Sequence, residues 1–178
     1  RCEFQNGLPH GRWELWTPKG VMVESGNYAV GRKDGGWKFI DWNESSPDGF
    51  LSVQGSFRND ERDGEWSTFA ENGTKTSSGN YLNGARDGAW TWWYENGAKS
   101  LEGQFNRGRE LGTWTAWHEN GTVSERGELV DGVAQGVWKS WYADGKLEVE
   151  GALEGGLAQG MWKLHSETGE TREVEYES

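Results

Sequence analysis

Tryptophan sets the rhythm of the apolar positions along this chain. Trp13, Trp37, Trp66, Trp90, Trp114, Trp138 and Trp162 recur at intervals of 24, 29, 24, 24, 24 and 24 residues. Around each of them the same polar and glycine positions return, shown best by Gly88 to Leu111, GAWTWWYENGAKSLEGQFNRGREL. A fixed period of this length marks a repeat architecture in which each unit is one supersecondary element. Between aromatic or β-branched runs stand Glu71-Asn72-Gly73, Glu95-Asn96-Gly97 and Glu119-Asn120-Gly121. Asn-Gly is a strong hairpin signal because both residues tolerate positive φ, so each repeat is predicted to be one β-hairpin. In its second strand, Leu101, Gly103 and Phe105 alternate onto one face. Glycine within a strand marks a bulge or a place where something bulky packs on bare backbone, and a Trp ring is expected over each such glycine.

A hairpin of this size is not stable alone. The fold class that follows is all-β: tandem 24-residue hairpins side by side, forming one elongated, twisted antiparallel sheet with local contacts. The predicted parse is a single array over 1–178, with a partial repeat at 1–10, full repeats at 11–34, 35–63, 64–87, 88–111, 112–135 and 136–159, and a partial repeat with a cap at 160–178. The longest interval carries a five-residue insertion, within Asp41 to Asp48. The segments from Gly31 to Gly35 and from Gly84 to Gly88 are expected to be the return turns between hairpins. The first repeat begins in mid-unit, with Phe4 at the Tyr position. The last stretch, Glu170 to Ser178, loses the glycines and becomes charged, as an edge needs in order to resist pairing with another chain. A second aromatic lies three residues after the first, at Trp16, Trp93, Trp117 and Trp141. On an ideal strand that spacing points to opposite faces, so either both faces are covered or a bulge realigns one ring.

Composition fits this pattern and little else. Leu, Ile, Val and Phe number 11, 1, 10 and 6 among 178 residues, and the net charge is −11; aliphatics this sparse would ordinarily flag disorder. The 13 Trp reverse that reading, since each ring buries roughly 150 to 250 Å². Eleven of the Trp and 26 of the 28 Gly occupy repeat positions. No 18-residue apolar run exists, which excludes a membrane-spanning helix. The single cysteine, Cys2, excludes an internal disulfide framework and a cysteine zinc site. With pI near 4.8, the chain is a poor partner for nucleic acid or an anionic membrane.

The aromatic and Asn-Gly pattern at Trp90 to Gly97, the G-x-[YF]-x-x-G segments Gly79 to Gly84 and Gly103 to Gly108, and the D-G-x-W joints at Asp63 to Trp66 and Asp87 to Trp90 closely resemble the bacterial variant of the MORN repeat, found in the YwqK-like antitoxin family. The resemblance covers almost the whole chain. It implies a non-catalytic interaction scaffold in a bacterial cytoplasm or cell envelope, with some relatives acting as immunity partners of toxins. The later joints depart from the pattern, with Ala134-Gln135-Gly136 and Ala158-Gln159-Gly160 in place of the basic-Asp-Gly segment.

Chemistry is thinly provided. Asp34, Asp63 and Asp87 precede glycines, where Asp is a routine turn former. His10, His118 and His165 fall at unrelated repeat positions, so neither a metal site nor an activated nucleophile is expected, and a phosphate loop is absent. No cofactor is implied. The repeat tryptophans Trp13, Trp37, Trp66, Trp90, Trp114, Trp138 and Trp162 are read as the structural core. Candidate surface residues are the aromatics outside the pattern: Trp92 with its neighbours Trp93 and Tyr94, and Trp42 in the insertion beside Asp41, Glu44 and Asp48. The expected function is protein–protein interaction with a protein partner, as an immunity-like or surface-assembly module, with self-association through an end or an edge. The alternative is a ligand-binding module whose exposed aromatics hold choline or carbohydrate.

Overall fold

The computed structural model describes residues 1–42 and 46–176, which form sixteen strands and no helix, with every pairing antiparallel. They divide into two compact units, Arg1–Asp87 and Gly88–Ser178, and the division falls at a repeat boundary. Glu44 of the insertion and the terminal Glu177 and Ser178 lie outside the described residues.

In the first unit, β1 (Cys2–Gln5), β2 (Leu8–Trp16), β3 (Met22–Ala29), β4 (Arg32–Asp41), β5 (Phe50–Arg58), β7 (Gly64–Phe69) and β8 (Lys75–Leu82) follow one another across an open sheet; the two-residue β6 (Glu61–Arg62) pairs with β5. The second unit holds β9 (Ala85–Trp93, which enters it at Gly88), β10 (Lys99–Asn106), β11 (Arg109–Trp117), β12 (Val123–Val130), β13 (Val133–Trp141), β14 (Leu147–Glu154), β15 (Leu157–His165) and β16 (Thr171–Tyr176), again in sequential order.

Two kinds of turn alternate, and both differ from the sequence expectation. At the Asn-Gly sites the hairpin forms, but Asn72 keeps a negative φ and only Gly73 is left-handed, at +81°. Gly73 N–H donates to Ala70 O (2.9 Å) and Ala70 N–H to Thr74 O (2.8 Å), a three-residue loop built on a type I turn with a glycine bulge. The Asn contributes through its side chain: Asn72 Oδ1 accepts from Thr74 N–H at 2.8 Å. The paired positive φ values occur instead in the return turns, which span two residues rather than five. Asn6-Gly7 (52°, 77°) and Asn83-Gly84 (49°, 79°) are type I′ turns, as is Val30-Gly31 (48°, 80°). The second glycine of the expected return turn, Gly35 in one repeat, lies inside the following strand with φ of +73°.

That interior glycine is the device that builds the core. Between β3 and β4 the register steps from Ser25↔Lys38 to Asn27↔Asp34, so Gly26 faces three residues, Gly35, Gly36 and Trp37. The slack lets the Trp37 ring fold flat over Gly26, and a Cβ placed there would lie 2.2 Å from Trp37 Cδ2. The same ring-on-glycine pair recurs as Trp66 on Gly55, Trp114 on Gly103, Trp138 on Gly127 and Trp162 on Gly151. Three indoles also donate Nε1–H to the carbonyl just past the covered glycine: Trp37 to Asn27 (3.2 Å), Trp66 to Ser56 (2.9 Å) and Trp162 to Ala152 (3.2 Å).

The rings continue into one another. Tyr28 stands edge-on between Trp13 (5.5 Å) and Trp37 (5.2 Å), and Phe57 between Trp37 (5.9 Å) and Trp66 (5.0 Å). In the second unit Phe105 does the same for Trp90 (6.1 Å) and Trp114 (5.3 Å). Burying one such indole contributes about 4 to 6 kcal/mol on an area basis, which is how an aliphatic-poor chain holds a core. Trp37, Trp66, Trp90 and Trp114 are buried, whereas Trp13, Trp138 and Trp162 are partly exposed.

Candidate interaction surface

Trp92 shares the face of Trp90, two residues away, and packs between Trp90 (5.7 Å) and Trp114 (5.9 Å) with Phe105 at 6.3 Å. Phe39 fills the corresponding place between Trp37 (6.2 Å) and Trp66 (6.4 Å). Trp92 therefore joins the aromatic core face. Tyr94 has its hydroxyl committed to the backbone, donating to Trp117 O at 2.6 Å. His118 Nε2 meets Trp141 O (2.8 Å) and Tyr142 Oη donates to His165 O (2.8 Å) at the equivalent positions, so in three successive repeats of the second unit this position clips one repeat to the next. Trp42, in the first unit, turns back on its own loop: Nε1–H donates to Pro47 O (2.9 Å) and Lys19 Nζ sits 4.9 Å from the ring.

Trp93 is half-buried, like the other three candidates. Strand alternation places it opposite Trp92, and it pairs with Lys99 across β10. The second aromatic position thus lies on the other face of the sheet, and both faces carry rings; a register shift does fall beside it, but its extra residue, Ser100, Ser124 or Glu148, is on the partner strand. In the first unit Trp16 is 47% exposed, and its Nε1–H donates to Glu14 Oε2 (3.3 Å) on the same face. In the second unit Trp93, Trp117 and Trp141 are half-buried. Trp117 pairs with Val123 and Trp141 with Leu147, extending the apolar stripe, and Lys99 Nζ lies 5.4 Å from the Trp117 ring.

A polar row runs beside that stripe. Glu102, Thr115, Arg126, Lys139, Glu150, Lys163 and Glu173 are each paired with the next across successive strands. Lys139 Nζ is 3.0 Å from Glu150 Oε2, and this charge-assisted contact holds the Glu150 carboxyl below its usual range. Arg126, Glu128, Val137, Lys139 and Trp141 border a shallow depression of about 530 Å³. A larger groove of about 650 Å³ on the first unit is lined by Arg12, Ser25, Lys38, Gln54, Ser67 and neighbours. Of the two, the second-unit surface has the composition of an interface: large aromatics exposed in part, bordered by Arg and Lys.

Sequence reasoning could place Trp117 and Trp141 in the repeat but not on a face, because the bulge at Gly112 or Gly136 decides the geometry upstream of them. The histidines stand apart: Val30 N–H donates to His10 Nδ1 (3.4 Å), and His165 Nδ1 meets Thr171 Oγ1 (2.9 Å). Among the described residues no group of three His, Cys, Asp or Glu side chains converges in a metal-binding arrangement.

Three stretches, residues 62–83, 86–107 and 134–151, match the family model described as a MORN repeat variant. Over these stretches the chain is similar to MORN repeats. MORN repeats generally mediate protein or membrane interactions and are generally non-catalytic. The matched stretches lie in both units and include Tyr94 and the Trp90–Trp92–Trp93 run. A comparison with curated proteins finds no match. Among solved structures, the crystal structure of a GtfA/B complex bound to UDP and GlcNAc is 12% identical over 62% of this chain and spans 22% of that chain; its TM-score of 0.26 is too low to carry an argument.

Proposed function

We propose that the chain is a non-catalytic scaffold for protein–protein interaction, an immunity-like or surface-assembly module of the kind found among YwqK-like MORN proteins, and that it engages its protein partner through the second face of Gly88–Ser178. The observation that carries this reading is the division of labour among the tryptophans. Five of them, Trp37, Trp66, Trp114, Trp138 and Trp162, each lie on a neighbouring glycine, while Trp93, Trp117 and Trp141 are half-buried on the opposite face, Trp141 beside Arg126 and Lys139. Aromatic and Arg side chains in that setting are the usual anchors of a binding hot spot.

A photo-crosslinking residue at Trp117 or Trp141, introduced into the full chain in its own host, identifies the partner. Binding of the purified partner is then measured to the wild type, Trp117→Ala and Trp141→Ala. At least one variant is expected to bind about 30-fold more weakly, the range of a hot-spot truncation near 2 kcal/mol. Unchanged affinity in both variants overturns the assignment of the face. Saturable quenching of Trp fluorescence by choline or a sugar, abolished in the same variants, favours the ligand-binding alternative.

A further inference from the structure

The first unit contains an ammonium held in an aromatic cage. Lys33 Nζ lies 2.7 Å from Glu24 Oε1, 4.1 Å from the centroid of the Trp37 ring, 5.2 Å from Phe39 and 5.4 Å from Phe57. The carboxylate supplies a charge-assisted hydrogen bond and the rings supply cation–π attraction. Each wall has a fixed place in the repeat. Glu24 pairs with Phe39, two residues after Trp37, and Phe57 pairs with Gly35, two residues before it.

The same register returns in the second unit with its cation removed. Glu125 pairs with Ser140, two residues after Trp138, and Leu153 pairs with Gly136, two residues before it. The lysine stands nine residues after the glutamate in the first case; nine residues after Glu125 stands Ala134. The carboxylate and the indole are retained, while Ser140 and Leu153 in place of Phe39 and Phe57 leave lower walls. Glu125 is exposed, and no ion pair or hydrogen bond engages its carboxylate among the described residues. Trp138 is only partly buried, unlike Trp37 at 1% exposure. The neighbouring repeat provides an internal contrast: Ala158 also leaves Trp162 without a cation, but Val149 takes the glutamate position, opposite Leu164.

We infer that Glu125 and Trp138 form a vacant ammonium site which receives a lysine side chain of a partner protein. This rests on the reading of the chain as a protein-binding scaffold. A primary ammonium is specified over a quaternary one because the carboxylate in the occupied cage accepts an N–H bond, and a quaternary nitrogen has none to give. It is specified over a guanidinium because the chain's own Arg62, 4.5 Å from Trp66, has no carboxylate in that cage and bonds the Tyr81 hydroxyl instead (3.1 Å). The field favours a basic partner: Gly88–Ser178 carries 16 Asp and Glu against 8 Lys and Arg, so −8 of the chain's −11.

The test is NMR of the indole N–H signals of the full chain, titrated at low salt with Nα-acetyl-lysine methylamide. The norleucine analogue and choline serve as comparison probes. The expected result is a saturable shift of the Trp138 signal with millimolar affinity, weakened at least fivefold in Glu125→Gln and lost in Ala134→Lys, whose own ammonium fills the site. An equal response to norleucine, tighter binding of choline, an unchanged affinity in Glu125→Gln, or a matching shift at Trp162 overturns the assignment. The site lies on the face of Trp138, opposite Trp117 and Trp141, so its failure in this titration leaves the scaffold reading of the second face standing.

Discussion

Substituting Gly26 by Ala probes the packing unit directly, because the added atom has no room. A Cβ at Gly26 would lie 2.2, 2.3 and 2.6 Å from Trp37 Cδ2, Cε2 and Cγ, against an ordinary contact of about 3.5 to 4.0 Å between carbons. The ring would have to retreat by more than 1 Å from a site where Trp37 is 1% exposed and contacts Tyr28, Phe39 and Phe57. Overpacking alone costs about 1 to 3 kcal/mol, and complete loss of a buried aromatic sets a ceiling near 3 to 5 kcal/mol. A value of about 3 kcal/mol is therefore expected for Gly26→Ala. Ten residues on, Gly36 supplies the control: it has no positive φ and nothing within 4 Å of its would-be Cβ. Gly36→Ala is expected to be neutral or stabilising by about 0.5 kcal/mol through the unfolded chain. Urea unfolding followed by far-UV circular dichroism reads both. With a slope of about 2 kcal/mol/M, Gly26→Ala lowers the midpoint by about 1.5 M. The reasoning fails if the two variants unfold together, or if Gly26→Ala matches the wild type.

Three smaller perturbations test the joints. Val30 holds φ of +48° in a type I′ turn and is 67% exposed; a β-branched residue there is strained, so Val30→Asn should raise stability by about 1 kcal/mol, and a lower melting temperature would refute the assignment of strain. Tyr94→Phe removes the bond to Trp117 O and should cost about 0.5 to 1.5 kcal/mol in urea unfolding while leaving the dichroism spectrum unchanged; no loss would mean the clip is idle. The Glu150 carboxyl titrates below its usual range because Lys139 bonds it, so its contribution is present at neutral pH and lost as pH falls through the lowered value. The pair is partly exposed and hence screened, and Glu150→Gln should cost no more than about 1 kcal/mol at pH 7. That difference should vanish near pH 2, and one that persisted there would contradict the linkage.

The period and the hairpins were legible because each repeat position repeats its chemistry; of the seven repeat tryptophans, Trp37, Trp66, Trp90 and Trp114 are buried and Trp13, Trp138 and Trp162 partly exposed. Turn type was not. Asn-Gly suits both a type I′ turn and a type I turn with a bulge, and the choice fell to the second once the Asn72 side chain could accept from Thr74 N–H. The true type I′ sites include Val30-Gly31, which no propensity would nominate. The roles of Trp92 and Trp93 could not be separated from their adjacency: the face each takes depends on the two extra residues at the bulge, a feature of paired strands rather than of one. Tyr94 read as a surface aromatic because its acceptor, Trp117 O, lies 23 residues away. The Lys33 cage was visible only as a basic residue at a joint, since its glutamate comes from the preceding strand.

The sorting of the tryptophans between a packed face and a partner-facing one is tested most directly by fluorine NMR of the 5-fluorotryptophan-labelled chain in light and heavy water. Signals of Trp37, Trp66, Trp90 and Trp114, assigned by Trp→Phe variants, should show no solvent isotope shift, and those of Trp16, Trp93, Trp117 and Trp141 a clear one. Solvent shifts at Trp37 and Trp66, or none at Trp117 and Trp141, would contradict the account.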